Sequence, residues 1–199
     1  MNIMIVRLNF WTVKSVPKTK GKVMRRDVIN VFLILSLFFI VGCATVSKPG
    51  NIPGINMGVV GKFSKALSVE LINNQPDTTP RLYAGVVGQN FYANYNEWTK
   101  FFIDKLGEEL KKRGATVSED SPKKLKVKLG DFSYIEGWAK VRVNMKVSLE
   151  MPEKNWKKEW VASDVSGWSM GRAFGSVIYH AIEQILKDPE IIELLKVVE

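Results

Sequence analysis

The residue types that most often carry out chemistry are scarce in this chain. Its 199 residues contain one cysteine, Cys43, and one histidine, His180. A single cysteine excludes an internal disulfide and a cysteine-rich metal centre, and a single histidine argues against a histidine-based relay. Asp131, Glu136 and Asp164 are scattered acids and are more typical of turns and strand ends than of an acid/base pair. We therefore expect no enzyme, no catalytic residue, no metal and no cofactor, and Cys43 is the residue whose chemistry needs an explanation.

Cys43 stands at the end of an apolar run that follows two basic residues. Arg25 and Arg26 precede the run over residues 28–41, and Gly42 separates it from Cys43. A positive segment, an apolar segment and small residues at the end make a secretory signal. The sequence Ile-Val-Gly-Cys at its end resembles the lipobox of bacterial lipoprotein precursors, in which the cysteine thiol is lipidated before cleavage makes that cysteine residue one.

A lipid on Cys43 implies attachment to a membrane without a spanning helix. Each buried CH₂ contributes about 0.8 kcal/mol, and stable attachment requires two chains. The alternative, which we disfavour, is a small buried cysteine in an uncleaved anchor helix, for which the apolar run is at best marginally long, since a spanning helix needs about 18 residues. Both interpretations place the later residues outside the cytoplasm, since Arg25 and Arg26 stay inside. Neither Ala44 nor Thr45 is the aspartate that retains lipoproteins in the inner membrane, which favours the periplasm-facing side of the outer membrane.

The predicted signal also divides the chain. We expect an upstream extension over 1–23, a lipoprotein signal peptide over 24–42, the lipidated cysteine and a flexible tether over 43–56, and a single α+β periplasmic domain over 57–199. The formal net charge of +9 lies mostly before the predicted cleavage point. It therefore gives little support to nucleic-acid binding, and we expect no nucleic-acid partner.

Hydrophobic periodicity predicts an α+β fold for this domain, with the order β-β-α-β-β-β-α-α. Strands that are apolar on one side, together with apolar-faced helices, predict two layers. We expect a largely antiparallel sheet of four to five strands, with two main helices packed on one face. The first helix is predicted over Asn96–Arg113, capped by Asn94 or Asn96 and ended by Gly114. Within it, Glu109 and Arg113 form a favourable i,i+4 pair.

Residues 124–165 predict a meander of three strands. A one-residue bulge at Gly130-Asp131 brings the first strand into register with the second. With a turn at Glu136-Gly137, Leu129 is predicted to face Val143, and the apolar side chains of both strands lie on one face.

The outward face of this meander is rich in basic residues. We define the basic face by four of them: Lys126, Lys128, Arg142 and Lys146. One interpretation is a docking surface for anionic lipid headgroups, glycan or an acidic partner. The other, which we favour, is a solvated sheet face whose lysines prevent edge pairing.

An aromatic cluster precedes the first helix and consists of Phe91, Tyr92, Tyr95 and Trp98. It predicts either a lip that accepts lipid or, more often for such clusters, a core that closes over the end of the sheet.

The combination resembles the YajG-like family of bacterial outer-membrane lipoproteins. The matching features are the lipobox at Cys43, the helix Phe101–Arg113 followed by glycine, the meander Leu125–Val161 and the terminal stretch Gly167–Leu195. The resemblance implies lipid anchoring and a periplasm-facing domain, and it brings no catalytic residues. We expect a lipid-anchored, non-enzymatic binding or scaffold module of the cell envelope, attached to the membrane through Cys43, with an unknown envelope protein as partner. The alternative is an auxiliary lipoprotein of a lipid or lipopolysaccharide transport complex.

Overall fold

Strands and helices alternate irregularly along the described chain. A computed structural model describes residues 43–50, 52–86, 88–167 and 169–197. Its strands are β1 (Cys43–Ser47), β2 (Ser68–Asn73), β3 (Arg81–Val86), β4 (Gln89–Ala93), β5 (Thr116–Val117), β6 (Lys124–Glu136), β7 (Val141–Met151) and β8 (Trp156–Ser166). Its α-helices are α1 (Tyr95–Lys112), α2 (Met170–Lys187) and α3 (Pro189–Leu195), and a 3₁₀ turn covers Pro152–Lys154. The predicted α+β class is confirmed.

The helix ends follow the predicted signals. The Asn94 side chain accepts a hydrogen bond from the backbone N–H of Glu97 at 3.1 Å, which satisfies one free donor of α1. Gly114 follows α1 with a φ of 95°, where a side chain would be strained. Ser169 caps α2, and Asp188 caps α3. None of the helices among the described residues is both long and apolar enough to cross a membrane.

The larger sheet has five strands in the order β5-β2-β6-β7-β8. The meander β6-β7-β8 is antiparallel, as predicted, whereas β2 pairs parallel with both β5 and β6. Helix α1 packs on β2 and β6, and α2 packs on β7 and β8. Both long helices therefore cover the same sheet, and their buried side chains join those of the strands in one hydrophobic core.

The meander keeps its predicted faces although its predicted register is wrong. Leu129 pairs with Val147 instead of Val143, because residues 137–140 form the hairpin loop in place of a two-residue turn. The shift is an even number of residues, so each side chain stays on its predicted side of the sheet. The bulge is confirmed between Gly130 and Ser133, and Asp131 there has a φ of 50°. Between β7 and β8, the sequence predicts that Met151 faces Trp156 and that Val147 faces Trp160, and both pairs are confirmed.

A second sheet of three strands, in the order β1-β4-β3, was not expected. Strand β3 matches the predicted strand over residues 81–87, but it pairs with β4 and not with the larger sheet. Strand β1 lies parallel to β4, from Cys43 beside Gln89 to Ser47 beside Ala93.

The prediction of a flexible tether over 43–56 therefore needs correction. Besides forming β1, this segment buries Ile52 and Ile55 in the core. The indole N–H of Trp98 also donates to the carbonyl of Ser47 at 3.1 Å. Proline and glycine interrupt regular structure here, but two isoleucines and an open edge of β4 are sufficient to dock the segment.

Arg113 fastens the same segment from the other side. Its guanidinium group is fully buried and pairs with the Glu109 carboxylate. It also donates to the carbonyls of Ile55 and Val60, both at 3.1 Å. The Glu109 carboxylate in turn accepts from the Ile55 N–H at 3.1 Å. The predicted i,i+4 pair is thus a buried clamp on residues 55–60.

Candidate functional site

Cys43 lies in β1 with its side chain exposed. Its backbone N–H donates to the carbonyl of Gly88 at 3.0 Å, at the turn between β3 and β4. Acylation of a free amino group at this residue would give an amide, which retains the single N–H that this hydrogen bond uses. The geometry of Cys43 is therefore compatible with both a thioether on the exposed sulfur and an acyl chain on the nitrogen.

An apolar groove lies beside β1. It has a volume of about 340 Å³, and its lining includes Val46, Tyr83, Trp98, Phe174 and Ile178. The Tyr83 hydroxyl makes a hydrogen bond of 2.7 Å with the Ser47 hydroxyl, which ties β1 to the wall of the groove. Burial raises the pKa of Tyr83, so its hydroxyl stays neutral at physiological pH. The groove can accept apolar groups and offers no charged side chain except Lys48.

The aromatic cluster belongs more to the hydrophobic core than to an open lip that could accept lipid. The ring of Phe132 has its centroid 4.7 Å from that of Tyr95 and 5.5 Å from that of Trp98. Phe174 lies 5.6 Å from Phe132, also between ring centroids. Tyr95 and Trp98 are buried, and Phe91 and Tyr92 of the predicted cluster are half-buried. Phe132 and Phe174 were missed because they join the cluster only through the tertiary fold.

The basic face is confirmed as outward-facing, but acidic residues divide it. Lys128 and Arg142 are exposed, and Lys126 and Lys146 are half-buried. The Lys146 ammonium lies 3.1 Å from the Glu159 carboxylate.

Glu159 is the centre of these ion pairs. Lys157 lies 2.9 Å from Glu159 and 3.3 Å from Glu150. Hydrogen bonds from Lys157 and then Lys146 lower the pKa of Glu159 to about 2. The exposed sheet thus presents both signs of charge, which supports the solvated interpretation over a dedicated anion site.

His180 does have acidic neighbours, in a cluster that sequence reasoning did not assemble. Its ring nitrogens lie 3.7 Å from the Asp164 carboxylate and 3.3 Å from that of Glu183. The Ser176 hydroxyl also donates to Asp164. The carboxylate therefore lies between serine and histidine, and no hydrogen bond joins Ser176 to His180 among the described residues. In a hydrolytic triad the histidine lies between the other two, so this arrangement does not activate the serine.

Other chemistry-bearing groups are sparse in the described ranges. No cluster of three or more histidine, cysteine, aspartate or glutamate side chains there could hold a metal ion. The site that stands out is instead an exposed apolar one. Trp138, at the tip of the β6-β7 hairpin, is 95% exposed, and Ile135 beside it is 55% exposed. A tryptophan directly after a predicted turn is the sequence signal that could have drawn attention to this hairpin.

Comparisons with known proteins add little to this description. No protein-family model matches the chain, and no curated protein matches it. A solved structure described as "Crystal structure of uncharacterized protein" covers 76% of this chain and 98% of its own, at 12% identity. Its TM-score is 0.35, a likeness too weak to support an inference about fold or function.

Proposed function

We propose that this protein is a lipid-anchored, non-enzymatic lipoprotein of the bacterial cell envelope, which acts as a binding or scaffold module. The observation that carries the proposal is the placement of Cys43. The residue that the lipobox-like sequence marks for lipidation is exposed and is itself part of β1, where it pairs with Gln89 of β4. Cleavage before Cys43 would leave the pairing of residues 43–47 with β4 intact. The resemblance to YajG-like lipoproteins and the outer-membrane location belong to the same proposal.

Attachment at Cys43 has a consequence for the domain's position. Because the attachment residue itself belongs to β1, there is no slack of several residues between lipid and fold. A tether of 13 extended residues could hold the domain up to about 43 Å from the bilayer, at about 3.3 Å per residue. The folded segment keeps the β3-β4 turn against the membrane surface instead.

Fatty-acid labelling tests the anchor directly. We expect Cys43→Ser to abolish incorporation of labelled fatty acid and to leave an unprocessed precursor in the cell. The matched control is Ala44→Ser, which changes the next exposed residue by one hydroxyl and should be labelled and processed normally. Labelling of the Cys43→Ser protein at the wild-type level would refute lipidation at this residue.

The groove beside β1 favours a second candidate function, an auxiliary role in lipid or lipopolysaccharide transport. Its apolar lining and its position next to the proposed lipid attachment suit an acyl chain. A scaffold module does not need such a groove. The two candidates therefore differ in whether purified protein carries lipid beyond its own anchor.

Two glycine variants separate these candidates. Gly171 lines the groove, and a Cβ built there meets no atom within 4 Å, so Gly171→Leu should fold and fill the space. Gly167 also has open space around it but lies outside the groove lining, which makes Gly167→Leu the control. Loss of co-purified lipid in Gly171→Leu alone would favour transport. Equal amounts of co-purified lipid in Gly171→Leu and Gly167→Leu would favour the scaffold role.

A further inference from the structure

We infer that the tip of the β6-β7 hairpin is a second membrane contact, which enters the interface of the bilayer that holds Cys43. The inference rests on the proposed lipidation of Cys43. Its occupant is a phospholipid surface containing anionic lipid, and its residues are Ile135, Trp138, Lys140 and Arg142, which we name the hairpin tip.

The hairpin tip presents the most exposed apolar side chain among those described. Trp138 stands in the loop between the paired residues Glu136 and Val141, and a hydrogen bond of 2.8 Å from Gly137 N–H to the Lys140 carbonyl closes that loop. The tip is thus an ordered turn with its indole directed away from the core. Tryptophan suits the membrane interface, because its ring is apolar and its N–H keeps a polar partner.

Contacts between the two sheets show in which direction the hairpin points. In the segment that leads from β2 to β3, the Gln75 side chain donates to the carbonyl of Leu129 in β6 at 2.6 Å. Eight residues further along, the Tyr83 ring of β3 lies 6.4 Å from that of Phe132 in β6. Because the contacts move to higher residue numbers in both segments, β3 and β6 run in the same direction.

Both strands therefore lead to one end of the domain. At that end β3 reaches the turn at Gly88, whose carbonyl accepts the hydrogen bond from Cys43. Strand β6 reaches the loop that carries Trp138. A bilayer that holds the lipid on Cys43 lies on the side to which the hairpin tip projects.

The charges around Trp138 favour the same occupant. Lys140 and Arg142 are exposed and make no ion pair within the described ranges, whereas Glu136, the last residue of β6, is the acidic residue next to the loop. Two cations and one carboxylate leave a net positive tip, which attracts anionic headgroups. An indole flanked by lysine and arginine is the arrangement that anchors proteins at the interface.

Fluorescence quenching by lipid tests the contact. The full lipidated protein is reconstituted into vesicles of phosphatidylglycerol and phosphatidylcholine, the latter brominated on an acyl chain. We expect bromolipid to quench part of the tryptophan emission of the wild type, and we expect that quenched part to be absent in Trp138→Phe. An aromatic ring remains in this variant, so the fold and the contact persist while the reporter is removed.

Trp156→Phe is the matched control. Trp156 pairs with Met151 at the other end of β7, and Val141 next to the hairpin tip is about 33 Å away at 3.3 Å per residue. This variant should keep the wild-type quenching. Equal quenching in Trp138→Phe and wild type, or no quenching in either, would overturn the inference. Protection of Trp138 from aqueous acrylamide without bromolipid quenching would also overturn it, because a second protein copy would then cover the tip.

The same samples separate this inference from the anchor. Absence of a fatty-acid label on Cys43 would refute the proposed lipidation itself. A normal label without quenching of Trp138 would refute only the contact of the hairpin tip.

Discussion

Replacing Arg113 by methionine tests the clamp on the N-terminal segment. The substitution keeps a long side chain in the core but leaves the Glu109 carboxylate without its buried partner. It also removes the donors to the carbonyls of Ile55 and Val60. Truncating one partner of a buried ion pair costs about 3–5 kcal/mol, because an uncompensated charge remains.

The neighbourhood of Glu109 sets where in that range the effect should fall. The Lys112 ammonium is 3.9 Å from the Glu109 carboxylate and partly exposed, so it can move closer and compensate in part. We therefore expect Arg113→Met to lower the free energy of unfolding by about 3 kcal/mol. The double variant Glu109→Gln with Arg113→Met should recover part of this loss, because no buried charge remains.

Urea unfolding of the purified proteins measures the effect, with Lys105→Met as the control. Lys105 pairs with Glu108 at 2.8 Å on the same helix, but Glu108 is largely exposed. That pair should contribute no more than about 0.5 kcal/mol. If Arg113→Met cost no more than Lys105→Met, the pair would behave as a surface i,i+4 pair, and the buried-clamp reasoning would be wrong.

Further predictions concern the sheet, the pH dependence and the start of the chain. Val143→Lys should cost several kcal/mol in urea unfolding, since it buries an unpaired charge, whereas Arg142→Val on the exposed side should stay within about 0.5 kcal/mol. Glu159 has a folded-state pKa of about 2 against its usual 4.5, so its stabilisation is complete above pH 4.5 and is lost as the pH falls towards 2. Glu159→Gln should therefore flatten the fall in unfolding free energy across that window, and an unchanged slope would contradict the ion pairs with Lys157. Deleting residues 1–23 should leave export and fatty-acid labelling intact, and loss of export would show that this segment is needed.

Local signals in the sequence predicted most of the elements and their faces. Alternation along β7 defined its buried side, and that assignment survived a register error of four residues. Capping residues such as Asn94 located helix ends to within one residue. These features depend on neighbours in sequence, where spacing carries the information.

The parts that could not be predicted depend on contacts between distant segments. The sequence around Thr45 does not show that β1 pairs with a free edge of β4, because the two strands are far apart in the sequence. Spacing along α1 predicted the pair of Glu109 with Arg113, but it cannot show that residues 55–60 fold over Arg113. The hairpin tip could not be predicted for a related reason. Its proposed role depends on its position at the same end of the domain as Cys43, which only the tertiary fold shows.

The parallel pairing of β1 with β4 also determines how the domain would respond to mechanical force. If Cys43 is lipidated as proposed, a pull between membrane and partner would act on β1 at this residue. Hydrogen bonds between strands lie across the strand direction. Force along β1 therefore loads the contacts of its five residues together in shear, whereas force across the strand breaks them one after another. The direction in which a partner pulls would therefore determine whether β1 stays paired with β4 or separates from it.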